Sequence, residues 1–124
     1  MFSHQFYNVV HIFGIALAVA ALGGAALLVM TRGTHDVRPA RRTLAIMHGI
    51  GAFLVLLGGF GMLARLGIVQ DGFPGWVWGK LVVWAIVAAA LFVPYRMPGW
   101  ARPLLFIVPV LIAVAAYLAV YKPF

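Results

Sequence analysis

Residues 7–30, YNVVHIFGIALAVAALGGAALLVM, form a long apolar stretch without a lysine, arginine, aspartate or glutamate. About 20 apolar residues in a helix cross a membrane core that is about 30 Å thick. The stretch therefore predicts a transmembrane helix. It is too long for the apolar part of a secretory signal peptide and lacks a basic start, so we expect it to be retained.

The same pattern recurs three times along the chain, at residues 43–66, 76–95 and 103–121. These segments are apolar on every face and do not alternate with a period of two, which favours helices over membrane strands. Short polar connections separate them, so consecutive helices run in opposite directions. The sequence predicts an all-α fold over residues 1–124, a single four-helix transmembrane domain arranged as an up-and-down antiparallel bundle.

The composition excludes a water-soluble globule, since 65% of the 124 residues are hydrophobic and 9% are charged, against roughly 45–50% and 25% in soluble domains. Cysteine is absent, which excludes disulfides, thiolate zinc sites and iron–sulfur clusters within this chain. The acids are limited to Asp36 and Asp71, which argues against catalysis by a pair of carboxylates. No nucleophile or phosphate-binding motif is present.

The basic residues lie at the ends of the spans, so we expect no nucleic-acid partner. Six of the nine fall between spans one and two or between spans three and four. They are Arg32, Arg38, Arg41, Arg42, Arg96 and Arg102. Because short cytoplasmic loops are enriched in basic residues, we expect these arginines to contact anionic lipid on the cytoplasmic side of a bacterial inner membrane. Both termini are then on the other, non-cytoplasmic side.

Small residues are concentrated in the first two spans. They are Gly14, Ala18, Ala21, Gly24 and Ala25 in the first, and Gly49, Gly51, Gly58, Gly59 and Gly61 in the second. In lipid, small residues allow close approach of two helix backbones, which predicts tight packing of these helices. Alternatively, the glycines leave room for a flat cofactor.

Ionisable groups within spans are costly and are candidates for function. His11 lies about 6 Å inside the outer boundary and His48 about 7 Å inside the cytoplasmic one, at 1.5 Å per residue. In a core about 30 Å thick, the two rings are then about 16 Å apart along the membrane normal. One haem iron within a single protomer therefore cannot bind both, and His48 belongs to a separate depth.

Lys80 enters the third span at the depth of His11, and Arg65 lies at the outer end of the second. A neutral imidazole can bind iron, and a cation can neutralise a propionate. These three residues are therefore the candidate cofactor site. Alternatively, Lys80 and Arg65 extend to the interface or pair with Asp71, and His11 only hydrogen-bonds to Asn8 or a nearby carbonyl.

Several short segments carry a family resemblance: VHI at 10–12, RR at 41–42, MHG at 47–49, LLGG at 56–59 and GWVWGKL at 75–81. The chain resembles small four-helix bacterial membrane proteins of the SirB type and the HemJ type of protoporphyrinogen IX oxidase, and more distantly the copper-resistance D proteins. The early histidine and the Trp-x-x-x-Lys-Leu motif are similar to the HemJ pattern. That resemblance implies b-type haem and an oxidase activity associated with His11 and Lys80, whereas His48 is similar to the SirB pattern.

Two functions follow as hypotheses. The first is an integral inner-membrane haem- or porphyrin-binding redox protein, with haem b near the outer leaflet, His11 as axial ligand, and Lys80 and Arg65 beside the acidic edge. The alternative is a small accessory subunit without its own catalysis, which packs into a larger membrane complex or a homo-oligomer. A transporter formed by oligomerisation is less favoured, since the spans contain no carboxylate and no inverted repeat.

Overall fold

A computed structural model describes residues 3–32, 38–66 and 72–122. All regular elements in these ranges are helical. They are α1 (His4–Arg32), α2 (Arg38–Leu66), α3 (Gly75–Ala89), α4 (Val93–Arg96) and α5 (Ala101–Tyr121), with 3₁₀ turns at Ala90–Phe92 and Pro98–Trp100.

Four helical stretches of the described chain are long and apolar enough to cross a membrane. They are His4–Arg32, Arg38–Arg65, Gly75–Arg96 and Pro98–Tyr121, the third comprising α3, a 3₁₀ turn and α4. The prediction of an all-helical chain with four such helices is confirmed. The first two helices extend beyond the predicted apolar limits of 7–30 and 43–66 because their polar ends also adopt helical geometry.

The third span changes geometry next to Pro94. Proline has no backbone N–H, and its ring clashes with the carbonyl four residues earlier, which here belongs to Ala90. The chain responds with a 3₁₀ turn, in which the N–H of Val93 donates to the Ala90 carbonyl and the N–H of Ala90 donates to the Ile86 and Val87 carbonyls. Proline thus sets where the regular α-helix ends.

Helices α1 and α2 pack backbone to backbone through glycine. A Cβ atom added at Gly58 would lie 2.6 Å from the backbone nitrogen of His11 and the carbonyl oxygen of Tyr7. One added at Gly14 would lie 2.7 Å from the Gly51 oxygen. No side chain larger than hydrogen fits at these points, so the tight packing of the first two helices agrees with the prediction from their small residues.

The remaining helices complete a ring around a shared core. α5 packs against both α1 and α3. Apolar side chains from α1, the third span and α5 fill the space between them: Leu22, Ala25, Val83, Val87, Ala90, Leu91, Leu104 and Val108. Two side-chain hydrogen bonds connect α2 and α3, from Trp84 Nε1 to the Ala52 oxygen at 3.0 Å and from His48 Nε2 to the Val87 oxygen at 3.1 Å.

Replacement of Gly58 by alanine tests the close contact between α1 and α2. We expect Gly58→Ala to lower the free energy of unfolding by about 1–3 kcal/mol, because the added methyl group forces two helix backbones apart. Unfolding by titration with dodecyl sulfate, followed by circular dichroism, measures the change.

The matched control is Gly49→Ala on the same helix, where an added Cβ has no heavy atom within 4 Å. Alanine has a higher helix propensity than glycine, so the free energy of unfolding of Gly49→Ala should be unchanged or slightly higher. Equal losses in the two variants would contradict the proposed backbone contact.

A cationic cleft as candidate functional site

Two adjoining cavities lie between α1, α2, α3 and α5, with volumes of about 190 Å³ and 330 Å³. They share lining residues from all four helices: His11, Val55, Met62, Lys80, Trp84 and Ala119. We refer to the two cavities together as the cleft. Its combined extent is in the range of small-molecule and cofactor sites.

His11 is held in a defined orientation at the junction of the two cavities. Its Nδ1 lies 2.8 Å from the carbonyl oxygen of Val55 on α2. Since a carbonyl only accepts hydrogen bonds, Nδ1 carries the proton, and Nε2 of the neutral ring keeps its lone pair. The sequence-based alternative of a hydrogen bond to a carbonyl is thus realised across the helix interface. The same bond leaves a second nitrogen able to bind a ligand or metal.

Gly59 lies beside this ring at the edge of the cleft. It lines the smaller cavity, and a Cβ added to it would lie 3.5 Å from Cε1 of His11. The glycines therefore differ in their surroundings. Gly14, Gly51 and Gly58 allow helix packing, whereas Gly59 borders the cleft.

Lys80 lines both cavities together with His11. The sequence-derived expectation that these two residues are at one depth agrees with this placement. Both are partly buried, so neither charge nor lone pair is freely hydrated. Their co-location gives the cleft one basic group and one potential metal ligand.

Arg65 is not brought into this arrangement. It is exposed near the end of α2 and is not among the described residues that line either cavity. The lining residues of the cleft thus include His11 and Lys80 but not Arg65, although the sequence places all three at a similar depth. Asp71, the predicted alternative partner, lies outside the described residues.

His48 occupies a different level of the bundle. It is 4% exposed, and its Nε2 donates to the Val87 carbonyl of the third span. Along α2 it precedes Val55, the partner of His11, by seven residues, which is about 10 Å at 1.5 Å per residue. The two imidazoles thus belong to separate environments, and His48 joins α2 to α3.

Further residues of the cleft were not recognised as site residues in the sequence. Lys122, His4 and Trp76 line the smaller cavity, and Trp84 lines both. Lys122 could have been predicted from the sequence, since it follows the fourth span at the same end of the bundle as Lys80. The faces of Trp76 and Trp84 depend on helix rotation, which hydropathy does not reveal in segments that are apolar all round.

His11 provides the cleft with one imidazole nitrogen that could bind a metal. Within the described ranges, no group of three or more His, Cys, Asp or Glu side chains could hold a bare metal ion. A single imidazole nitrogen is nevertheless what a haem iron takes from the protein on one face. The cleft residues present fit that requirement, with His11 as donor.

Comparisons of the chain with models of known protein families, with curated proteins and with solved structures find no match.

Substitution of His48 tests its role as a connection between helices. We expect His48→Leu to lower the free energy of unfolding by about 1–3 kcal/mol, because it removes the interhelical hydrogen bond from a buried position. Thr43→Val is the control on the same helix. The Thr43 hydroxyl is exposed and donates a hydrogen bond of 3.3 Å to the Pro39 carbonyl of its own helix. Loss of this hydroxyl should lower the free energy of unfolding by less than about 0.5 kcal/mol. Equal stability of His48→Leu and wild type in dodecyl sulfate titrations would contradict the interhelical role.

Proposed function

We propose that this membrane protein binds haem b in the cleft, with Nε2 of His11 as the axial ligand and with one-electron redox chemistry as its function. The observation that carries the proposal is the hydrogen bond from His11 Nδ1 to the Val55 carbonyl on the wall of a cavity. Metal-binding histidines commonly donate the other ring N–H to such an acceptor, which fixes the ring and the tautomer.

The surroundings of His11 suit a flat, largely apolar group with acidic substituents. The larger cavity is lined mainly by aliphatic residues, several of them alanines on α3 and α5. Lys80 borders both cavities and can neutralise a carboxylate there. Trp84 is held by its hydrogen bond to Ala52 and offers an aromatic surface beside the same space. Arg65 is not part of this proposed site.

The residues of this chain would supply binding, orientation and electrostatics. Haem b, when bound, supplies the one-electron change at iron. His11 would tune the iron through its ring basicity, which the carbonyl hydrogen bond increases. The apolar lining would limit access of water and so influence the potential.

We further propose an up-and-down antiparallel bundle with both termini on the non-cytoplasmic face of a bacterial inner membrane. The order of contacts supports opposite directions for α1 and α2. Tyr7 lies against Gly58, Gly14 against Gly51, and Gly24 against Leu44, so residue numbers rise on one helix as they fall on the other.

The distribution of charge supports the orientation. The guanidinium carbon of Arg41 lies 4.3 Å from the ring centre of Tyr95. The start of α2, with its arginines, and the end of α4 at Arg96 are therefore at the same end of the bundle. Lys80 and Lys122 line the cleft at the other end. The excess of arginine marks the cytoplasmic side, where anionic lipids are attracted, and the cleft then lies in the outer half of the membrane.

An absorption spectrum of detergent-purified protein from haem-replete cells tests the proposal. We expect a haem Soret band whose position changes on reduction with dithionite. His11→Ala should abolish the bound spectrum, and added imidazole should restore part of it by replacing the missing donor. His48→Leu is the control, because it removes a histidine at a different depth and should retain the band.

Colourless wild-type protein, or an unchanged spectrum in His11→Ala, would be incompatible with this site. Co-purification of a stoichiometric partner with colourless protein would instead support the accessory-subunit alternative.

A further inference from the structure

Lys122 ends α5 in an unusual backbone conformation. Its φ is 48°, the single positive value among the described non-glycine residues. The left-handed geometry closes the last helical turn, with the N–H of Lys122 donating to the Leu118 carbonyl at 3.0 Å. Glycine is the residue usually found in this position because it has no Cβ. A lysine is accommodated here instead.

The side chain of Lys122 is directed towards the cleft. Its Nζ lies 5.3 Å from the ring centre of Trp76 at the start of α3, within the range of a cation–π contact. Both residues line the smaller cavity, together with Lys80 and His4. The α5 end and the α3 start thus place a second ammonium group beside the same space as Lys80.

The charge of this lining is one-sided. Two lysines border a cavity of about 190 Å³, and none of its described lining residues is acidic. Like charges near one another in a medium of low dielectric constant repel, and a negatively charged ligand removes that repulsion. The larger cavity next to it is mainly apolar. The cleft therefore offers cations at one end and an apolar space at the other.

We propose that Lys122, with Lys80, forms an anion-binding subsite that takes the two carboxylates of an amphiphilic dicarboxylate whose apolar body occupies the larger cavity. The proposal rests on the proposed function, because the apolar body of the ligand is taken to be a porphyrin. It adds Lys122 as a binding residue and gives the orientation of the ligand in the cleft. The acidic edge lies towards Trp76 and Lys122, and the apolar edge lies towards the centre of the bundle.

Metal-free mesoporphyrin IX and its dimethyl ester provide a test that does not depend on iron. The two probes share one ring system and differ in whether the propionates are charged. The protein is placed in nanodiscs of zwitterionic phosphatidylcholine, with empty nanodiscs as blank, and binding is followed by porphyrin fluorescence. We expect wild-type protein to bind the diacid more tightly than the ester.

Lys122→Gly removes the side chain and suits the positive φ, so the fold should be retained. It should weaken binding of the diacid by about 10-fold, which is the loss expected for a hydrogen bond between charged groups. Binding of the ester should not change. Lys122→Arg keeps the charge and should keep most of the affinity, and Arg65→Met, which removes a cation outside the cleft, should have no effect.

Several results would overturn the subsite: no preference of wild type for the diacid, undiminished diacid binding in Lys122→Gly, or equal losses for diacid and ester. A parallel titration with haemin separates this proposal from haem ligation. If wild type shows no His11-dependent Soret band but the diacid preference and its loss in Lys122→Gly are found, haem ligation is wrong and the anion subsite stands. If His11→Ala loses the Soret band and Lys122→Gly binds both metal-free probes as wild type does, the reverse holds.

Discussion

The backbone contact between α1 and α2 determines the position of the other groups in the bundle. In a membrane, apolar side chains gain little by leaving lipid, so association depends on close packing and hydrogen bonding. At Gly58 the second helix approaches the backbone nitrogen of His11 so closely that a methyl group would be 2.6 Å away. This approach brings the ring of His11 within 2.8 Å of the Val55 carbonyl. The same close contact between α1 and α2 thus requires glycine at position 58 and places His11, the candidate axial ligand, beside the Val55 carbonyl.

Carbonyl oxygens of neighbouring helices accept hydrogen bonds from polar side chains in this apolar interior. A carbonyl in an α-helix has two lone pairs and can accept a second hydrogen bond in addition to the one within its helix. His11, Trp84 and His48 each direct a ring nitrogen to such an oxygen on a neighbouring helix. A polar ring thereby joins two helices without requiring a second polar side chain. Of these three residues His11 and Trp84 also border the cleft, and of those two His11 is the one with a second ring nitrogen that can bind a metal.

The sequence predicts the number and nature of the helices well, because span length and composition are properties of each segment alone. Depth is also accessible, since it follows from counting residues along a helix. It groups His11 with Lys80, which line the same cavities, and sets apart His48, which is not among their described lining residues. Rotation about the helix axis is not accessible in this way. Spans that are apolar on all sides give no amphipathic signal. Packing alone therefore shows that Trp84 lines the cleft and that Arg65 is not among the described lining residues. The position of the Lys122 side chain beside the cleft depends further on the left-handed backbone conformation at the end of α5.

The cleft itself follows from unequal packing on the two sides of α2. Towards α1, glycine lets two backbones meet directly. Towards α3, an indole and an imidazole reach across to carbonyls, and a helix pair connected through such rings cannot approach as closely as one connected through glycine. The space that remains lies beside Trp84 and opens along Lys80. Shortening the Trp84 side chain would let α3 move towards α2 and fill the space, so this residue both connects the helices and keeps the cleft open.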